Sequence, residues 1–221
     1  MGSKTSVHVF LMNTGYIREE LAVWRVKWAG DTRYDVTIEG ARHRPIASNR
    51  NLVTRRFLVG DADFMMMVDD DVVPAQNPLD LLQMDLDIIV CPTPMFAQGR
   101  TGDFPIHMNV ELLEHPDGLE ENYVLTRPDP IMEISTGGTG CIIIARRVLE
   151  HPDMHPAFAD VYDENGIRTL TEDVTFIRRA RQAGFRAWVA MEYRCSHYKE
   201  VDLLVIDLLY RRLINRMTDD A

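Results

Sequence analysis

The sequence has little cysteine: three residues in 221, Cys91, Cys141 and Cys195, an odd number at wide spacing. A disulfide scaffold is thereby excluded. Cys91 and Cys141 stand in apolar runs, as small buried thiols of a reducing compartment do. No apolar run approaches the roughly 18–20 residues of a membrane span, and no secretory pattern precedes the first apolar segment. The expectation is a cytoplasmic protein with no transmembrane segment. Positive charge is also scarce, 24 Lys and Arg against 34 Asp and Glu, for a formal net charge of −10. A large nucleic-acid footprint, which needs a basic stripe, is disfavoured. Internal repeats, low-complexity tracts and clear linkers are missing too. No second pair of ligands joins Cys195 and His197 at a zinc-site spacing.

What the chain does have is a globular composition, 46% hydrophobic and 26% charged, at a length that suits one α/β domain. Residues 7–12 form an apolar run that stops at Asn13-Thr14-Gly15, a strand followed by a turn. Ile17, Leu21, Trp24 and Trp28 then recur at helical spacing. Residues 34–38 alternate as a strand. Pro45 suits the first turn of a helix reaching about residue 59, with Ile46, Val53 and Phe57 on one side. Residues 63–68 and 87–91 are two further strands, separated by a short helix that starts near Asn77. Strands alternating with helices, each strand nearly all apolar, predict a mainly parallel sheet covered on both faces. Ligands of such sheets bind at the carboxyl ends of the strands.

Beyond Pro92 the pattern is less regular. Two strands are expected at residues 108–114 and 122–126, around the turn-forming His115-Pro116-Asp117-Gly118. A buried strand follows at 141–145, a helix from about Glu172 closing at Gly184, and a last strand at 185–190. Residues 201–217 read as a helix with apolar side chains on more than one face. Such a helix packs on its own domain or serves a homodimer contact.

Four constellations carry chemistry. Asp69-Asp70-Asp71 follows four apolar residues at a strand's carboxyl end. Adjacent carboxylates repel one another, and hard divalent ions such as Mg²⁺ or Mn²⁺ take oxygen ligands and bridge to phosphates. A solvated acidic turn is the competing reading. Thr171-Glu172-Asp173 opens a helix, where a carboxylate suits a general base. There Thr169 and Glu172 also have the spacing of a capping box, so both readings stand. Cys195-Ser196-His197 places a histidine after the last strand. Thr136-Gly137-Gly138-Thr139-Gly140 precedes a strand and lacks the dinucleotide spacing. It suits either a tight turn or close approach of backbone to a sugar or phosphate.

In order, these pieces resemble the GT-A glycosyltransferases, particularly the family 2-like group. The matching segments are Ser48-Asn49-Arg50-Asn51, then Met66 to Pro74 with the acidic triplet, then Gly137 to Arg146. Thr171 to Phe176 with Arg179 and Gly184, and finally His197, complete the set. The resemblance spans roughly residues 5 to 200. It implies a single domain over 1–221, with a nucleotide-sugar half (5–95), an acceptor and catalytic half (96–200) and a terminal helix (201–217). It also implies an Asp-x-Asp motif in which Asp69 lies near the donor ribose and Asp71 holds Mn²⁺ or Mg²⁺, with Asp70 as the variable middle residue. His197 would be a further metal ligand, and Asp173 or Glu172 would face the acceptor. Asn13, Thr14 and Arg50 would border the nucleotide, and Gly138 the donor.

The activity so implied moves a sugar from a nucleotide-sugar donor, a uridine diphosphate sugar first of all, to a hydroxyl acceptor. That acceptor is a glycan, a protein, a small molecule or a modified DNA base. Glu39-Gly40-Ala41-Arg42-His43-Arg44 departs from the usual turn after the second strand, which leaves the base open. Two alternatives are a sugar-phosphate nucleotidyltransferase and a non-catalytic nucleotide-sugar-binding protein. The first usually has a glycine-rich basic loop after strand one, where this chain has only Gly15 and a delayed Arg18.

Overall fold

The computed structural model describes residues 4–13, 15–42, 45–96, 106–113, 130–200 and 210–211. The first three strands are β1 (Ser6–Met12), β2 (Asp35–Ala41) and β3 (Phe64–Asp69), connected by helices α1 (Glu19–Ala29) and α2 (Ile46–Val59). A short β4 (Val72–Pro74) and a 3-10 helix (Pro78–Met84) lead to β5 (Ile88–Val90). Strands β6 (Pro94–Phe96), β7 (Ile106–Met108), β8 (Val110–Leu112), β9 (Ile131–Gly137) and β10 (Cys141–Ala145) follow. Helix α3 (Arg146–Leu149), the hairpin β11 (Val161–Tyr162) and β12 (Arg168–Leu170), helix α4 (Glu172–Gln182), β13 (Ala187–Ala190) and β14 (Cys195–His197) complete the order.

Eight strands form one sheet in the order β2-β1-β3-β10-β5-β13-β9-β8. β1 pairs in parallel with β2 and β3, and β5 with β13, whereas β10 and β9 run against their neighbours. The α/β class and mainly parallel sheet expected from the sequence are thus found. The reversed β10, wedged between β3 and β5, is the feature that alternation of strands and helices does not foretell. Its reversal matters for the site: the start of β10, not its end, meets the carboxyl end of β3.

β3 lies in the middle of the core. Met65, Met66 and Met67 are all fully buried. Successive strand residues point to opposite faces, so both faces of the sheet are covered there. Burial of each such side chain contributes about 1.5–3 kcal/mol, which makes β3 a stiff support. The strand leaves the core only at Asp69.

Two expectations need correction. In α2 the buried side is not the apolar stripe through Ile46, which is exposed; Asn49, Arg50 and Thr54 are buried beside Val53 and Phe57. The stretch expected as one strand from residue 108 is instead the end of β7 and the separate β8, and β8 pairs with β9. The partner strand expected at 122–126 lies outside the described residues. So does the helix at 201–217, apart from Tyr210 and Arg211, and with it the homodimer contact. Among the described residues, no helix is long and apolar enough to cross a membrane.

Candidate functional site

A cavity of about 420 Å³ opens at the carboxyl ends of β1 and β3. Of the residues singled out in the sequence, Asn13, Arg50, Asp69, Asp70, Asp71, Gly138, Asp173 and His197 line it. Glu172 is not in the lining, and Thr14 lies outside the described residues. The positions come from six separated stretches, so folding brings together what the sequence only orders.

The acidic triplet is fixed through its backbone. Asp69 N donates to Gly140 O (2.9 Å) and Asp70 N to Met12 O (3.0 Å), so β10 and β1 hold it from both sides. Asp71 turns toward a different element. β14 pairs antiparallel with β4, His197 opposite Val72, and Tyr198 N donates to Asp71 O (2.8 Å). This small ladder places the His197 Nε2 atom 3.5 Å from Asp71 Oδ2. The other ring nitrogen, Nδ1, is 2.8 Å from Pro94 O, as a donor to that carbonyl. With Nδ1 carrying the hydrogen, a neutral ring turns the Nε2 lone pair toward the carboxylate. Two acceptors that face each other need a cation or a proton between them.

The titration of both groups follows. Burial alone would raise the Asp71 carboxyl, but hydrogen bonds from His197 and Lys199 outweigh it and hold it down at about 2. The bond to Asp71 raises His197 above the ordinary imidazole range, against burial. The Lys199 ammonium is also bonded to Asp71 Oδ2.

A divalent cation could be held here by Asp71 and His197 together with oxygens of a ligand. Among the described residues, no three His, Cys, Asp or Glu side chains are gathered into a metal cluster. Asp71 and His197 supply two ligands of the right chemistry, and the carbonyl behind His197 is the usual outer partner of a ligating imidazole. An ion of the Mg²⁺ type is commonly held by one or two carboxylates and completes its shell with phosphate and water.

Arg50 ties two acidic elements together inside the protein. Its Nη1 donates to Glu172 Oε1, and its Nη2 lies 3.1 Å from Asp69 Oδ2. Arg50 and Glu172 are each only 4% exposed, so this is a buried ion pair. Burial raises the Glu172 carboxyl, with Arg50 opposing and Asp173 adding to the rise. The capping box is not formed: the Thr169 hydroxyl donates to Val161 O, and Thr171 is the N-cap of α4. Glu172 is therefore spent on Arg50. Asp173, the next residue, faces the cavity; its Oδ1 accepts from Val174 N (2.8 Å) and from the Thr171 hydroxyl.

Burial lifts Asp69 to about 6, against the pull of Arg50 and with help from Asp71 and Asp70. A carboxyl raised on folding stabilises the protein most below its ordinary 3.8, and that contribution is lost as pH rises through about 6. In metal-free buffer, acidification from pH 7 to 5 should therefore raise the urea midpoint. Asp69→Asn should flatten that slope; an identical slope in both proteins would contradict the assignment.

The glycine segment serves close packing. A Cβ on Gly138 would stand 2.1 Å from Asn109 Nδ2, and one on Gly140 3.1 Å from Val72 Cγ2. Asn109 is itself anchored: its Oδ1 accepts from Thr93 N (2.9 Å), and its backbone carbonyl from Gly138 N (2.7 Å). Asn109, Thr93 and Lys199 line the cavity without having been singled out in the sequence. Other residues of the quoted segments are structural. Asn51 bridges to the backbone of Phe158, and Arg146 binds the carbonyls of Phe57, Gly60 and Ala62 around the end of α2. Arg179 binds those of Asp153 and Pro156.

Three buried side-chain atoms on lining residues have no protein partner among the described residues: Asn49 Oδ1, Arg50 Nε and Thr139 Oγ1. An unmet buried polar atom costs about 1–3 kcal/mol. Their concentration around one cavity suits a polar ligand or ordered water.

No protein-family model matches the sequence, and no curated protein does. Solved structures match in fold. A197 from STIV aligns with a TM-score of 0.59 at 20% identity, covering 88% of this chain and 86% of that one. GalNAc-T7, solved with UDP, GalNAc and Mn²⁺, aligns at 0.48 and 12% identity over 90% of this chain and 44% of that one. The mannosyltransferase PcManGT from Pyrobaculum calidifontis, in complex with GDP-Man and Mn²⁺, aligns at 0.48 and 12% identity, over 88% and 57%. At such identities the first alignment shows a shared fold and nothing about activity; the other two are weaker still.

Proposed function

We propose that this chain is a metal-dependent glycosyltransferase that uses a nucleotide-sugar donor and a hydroxyl acceptor, with inversion at the anomeric carbon. The observation that carries the reading is the convergence of Asp71 Oδ2 and His197 Nε2, 3.5 Å apart, in a cavity that Asp173 also lines. A bound divalent ion, Mn²⁺ or Mg²⁺, supplies neutralisation of the charge that develops on the leaving diphosphate. Asp71 and His197 hold it, with Asp69 close by at the end of β3 facing the donor ribose.

Asn13 and Arg50 border the nucleotide, Asp70 stands beside them, and Gly138 keeps the donor floor free of side-chain bulk. Asp173 is the base in this reading, because Glu172 is buried against Arg50 while Asp173 faces the cavity. Its Oδ1 is already bonded, so Oδ2 takes the proton. The acceptor oxygen forms a bond to the anomeric carbon as the carbon–phosphate oxygen bond breaks. The nucleoside diphosphate departs with the electron pair, and the acceptor proton ends on Asp173. A cytoplasmic setting suits the three buried free thiols.

The test is a panel of UDP- and GDP-linked hexoses incubated with the protein and Mn²⁺ without acceptor. Slow release of free sugar and nucleoside diphosphate, absent in Asp71→Ala, is expected. Formation of nucleoside triphosphate from the donor and pyrophosphate would instead assign nucleotidyl transfer. Binding without turnover of any donor would leave a non-catalytic binder.

A further inference from the structure

Two Lys/Arg side chains line the cavity among the described residues, and they are held very differently. Arg50 is locked between Glu172 and Asp69, with a side chain only 5% exposed. Lys199 has a half-exposed side chain, 52%, and an ion pair with Asp71. Its ammonium sits on the same oxygen, Oδ2, that His197 Nε2 faces. The backbone beneath it is fixed: Tyr198 N is bonded to Asp71 O, and the Arg18 guanidinium lies 3.9 Å over the Tyr198 ring. The side chain itself is half exposed. His197 and Lys199 are two residues apart, which in extended backbone puts both on one side.

We propose that Lys199 is the internal cation of this site, holding Asp71 until a divalent metal displaces it and then pairing with the donor's diphosphate. The inference rests on the glycosyltransferase reading of the cavity. A +1 ammonium on a flexible four-carbon stem is a weak competitor for a carboxylate, so exchange for a +2 ion is reversible. Displacement leaves an unpaired ammonium at the rim of the cavity where a diphosphate would bring its charge. Charge-assisted bonds to phosphate are stronger than bonds between neutral groups, so the displaced lysine has a partner only in the loaded state. Without the lysine, the acidic triplet would stand with less neutralising charge while no metal is bound.

The opposite signs of the two effects make the idea testable. Mn²⁺ binding to the whole protein is read from the loss of the free-ion signal in electron paramagnetic resonance. Lys199→Met should bind Mn²⁺ alone about 3- to 10-fold tighter than the unaltered protein, since a competing ion pair and a nearby positive charge are both removed. At saturating Mn²⁺, the same variant should bind UDP and GDP about 5- to 10-fold more weakly by calorimetry, having lost one charge-assisted phosphate contact. Lys199→Gln should shift both affinities in the same directions.

If the unaltered protein binds Mn²⁺ and both variants bind it equally or less well, Lys199 merely supports Asp71, and the inference is overturned while the metal site stands. Unchanged diphosphate affinity would overturn the pairing with phosphate. No Mn²⁺ binding by any of the three proteins would remove the metal reading itself, and this inference with it.

Discussion

Arg50→Met is expected to lower the unfolding free energy by about 3–5 kcal/mol, the cost of leaving a buried charge without its partner. Arg50 lies under two carboxylates, Glu172 Oε1 and Asp69 Oδ2, and both it and Glu172 are buried. Truncation leaves Glu172 buried and charged beside Asp173, or forces it to take a proton. Burial already raises its carboxyl despite Arg50. A second substitution decides between this account and simple loss of packing. Arg50→Met with Glu172→Met removes both buried charges, and buried pairs replaced by apolar side chains often come out near neutral. The double variant should therefore be more stable than Arg50→Met alone by urea denaturation. Simple addition of two losses would show that Arg50 acts through its volume and not through its charge.

Asp173→Asn is expected to lower the rate of sugar transfer by about 10²- to 10⁴-fold, the usual contribution of a positioned general base. The affinity for nucleoside diphosphate should change by less than about twofold, because Asp173 lies on the acceptor side of the proposed site and asparagine fills the same volume. The amide keeps an oxygen for the Val174 N–H and for the Thr171 hydroxyl, so α4 should keep its start. Glu172→Gln should behave in the opposite way, with a loss of stability through Arg50. A larger kinetic defect in Glu172→Gln than in Asp173→Asn would assign the base to Glu172 instead.

The first part of the sheet was legible because β1 and β3 are apolar runs separated by helices with regular spacing, whereas β9, with its mixed polar and apolar residues, had no such signal. β3 and its acidic end are the clearest case: residues 64–68 are wholly buried and Asp69 is the first to emerge. The roles inside the helices were less legible. Thr169 and Glu172 have capping spacing, yet Thr169 lies in β12, and a buried arginine far off in the sequence claims Glu172. Periodicity cannot show such a pair, since it reports which face is apolar and not which polar group has a distant partner. The same blindness hid the buried polar side of α2.

His197 was placed by resemblance alone, because the ladder that brings it to Asp71 consists of two three-residue strands. Segments that short have no usable hydrophobic period. Lys199 did leave a signal: it is a cation two residues after His197, the spacing that a strand would place on a shared face. Asn109 and Thr93 left none, because their role is to brace Gly138 through contacts that only the folded chain creates.

The central claim is that Asp71 holds a divalent ion together with a nucleoside diphosphate. Calorimetric titration of UDP and GDP, with and without Mn²⁺, into the unaltered protein and Asp71→Ala tests it most directly. The expected result is binding of at least one diphosphate that strengthens at least tenfold with Mn²⁺, on the order of 1.4 kcal/mol, and loses that gain in Asp71→Ala. Diphosphate affinity indifferent to both the metal and the substitution would contradict it.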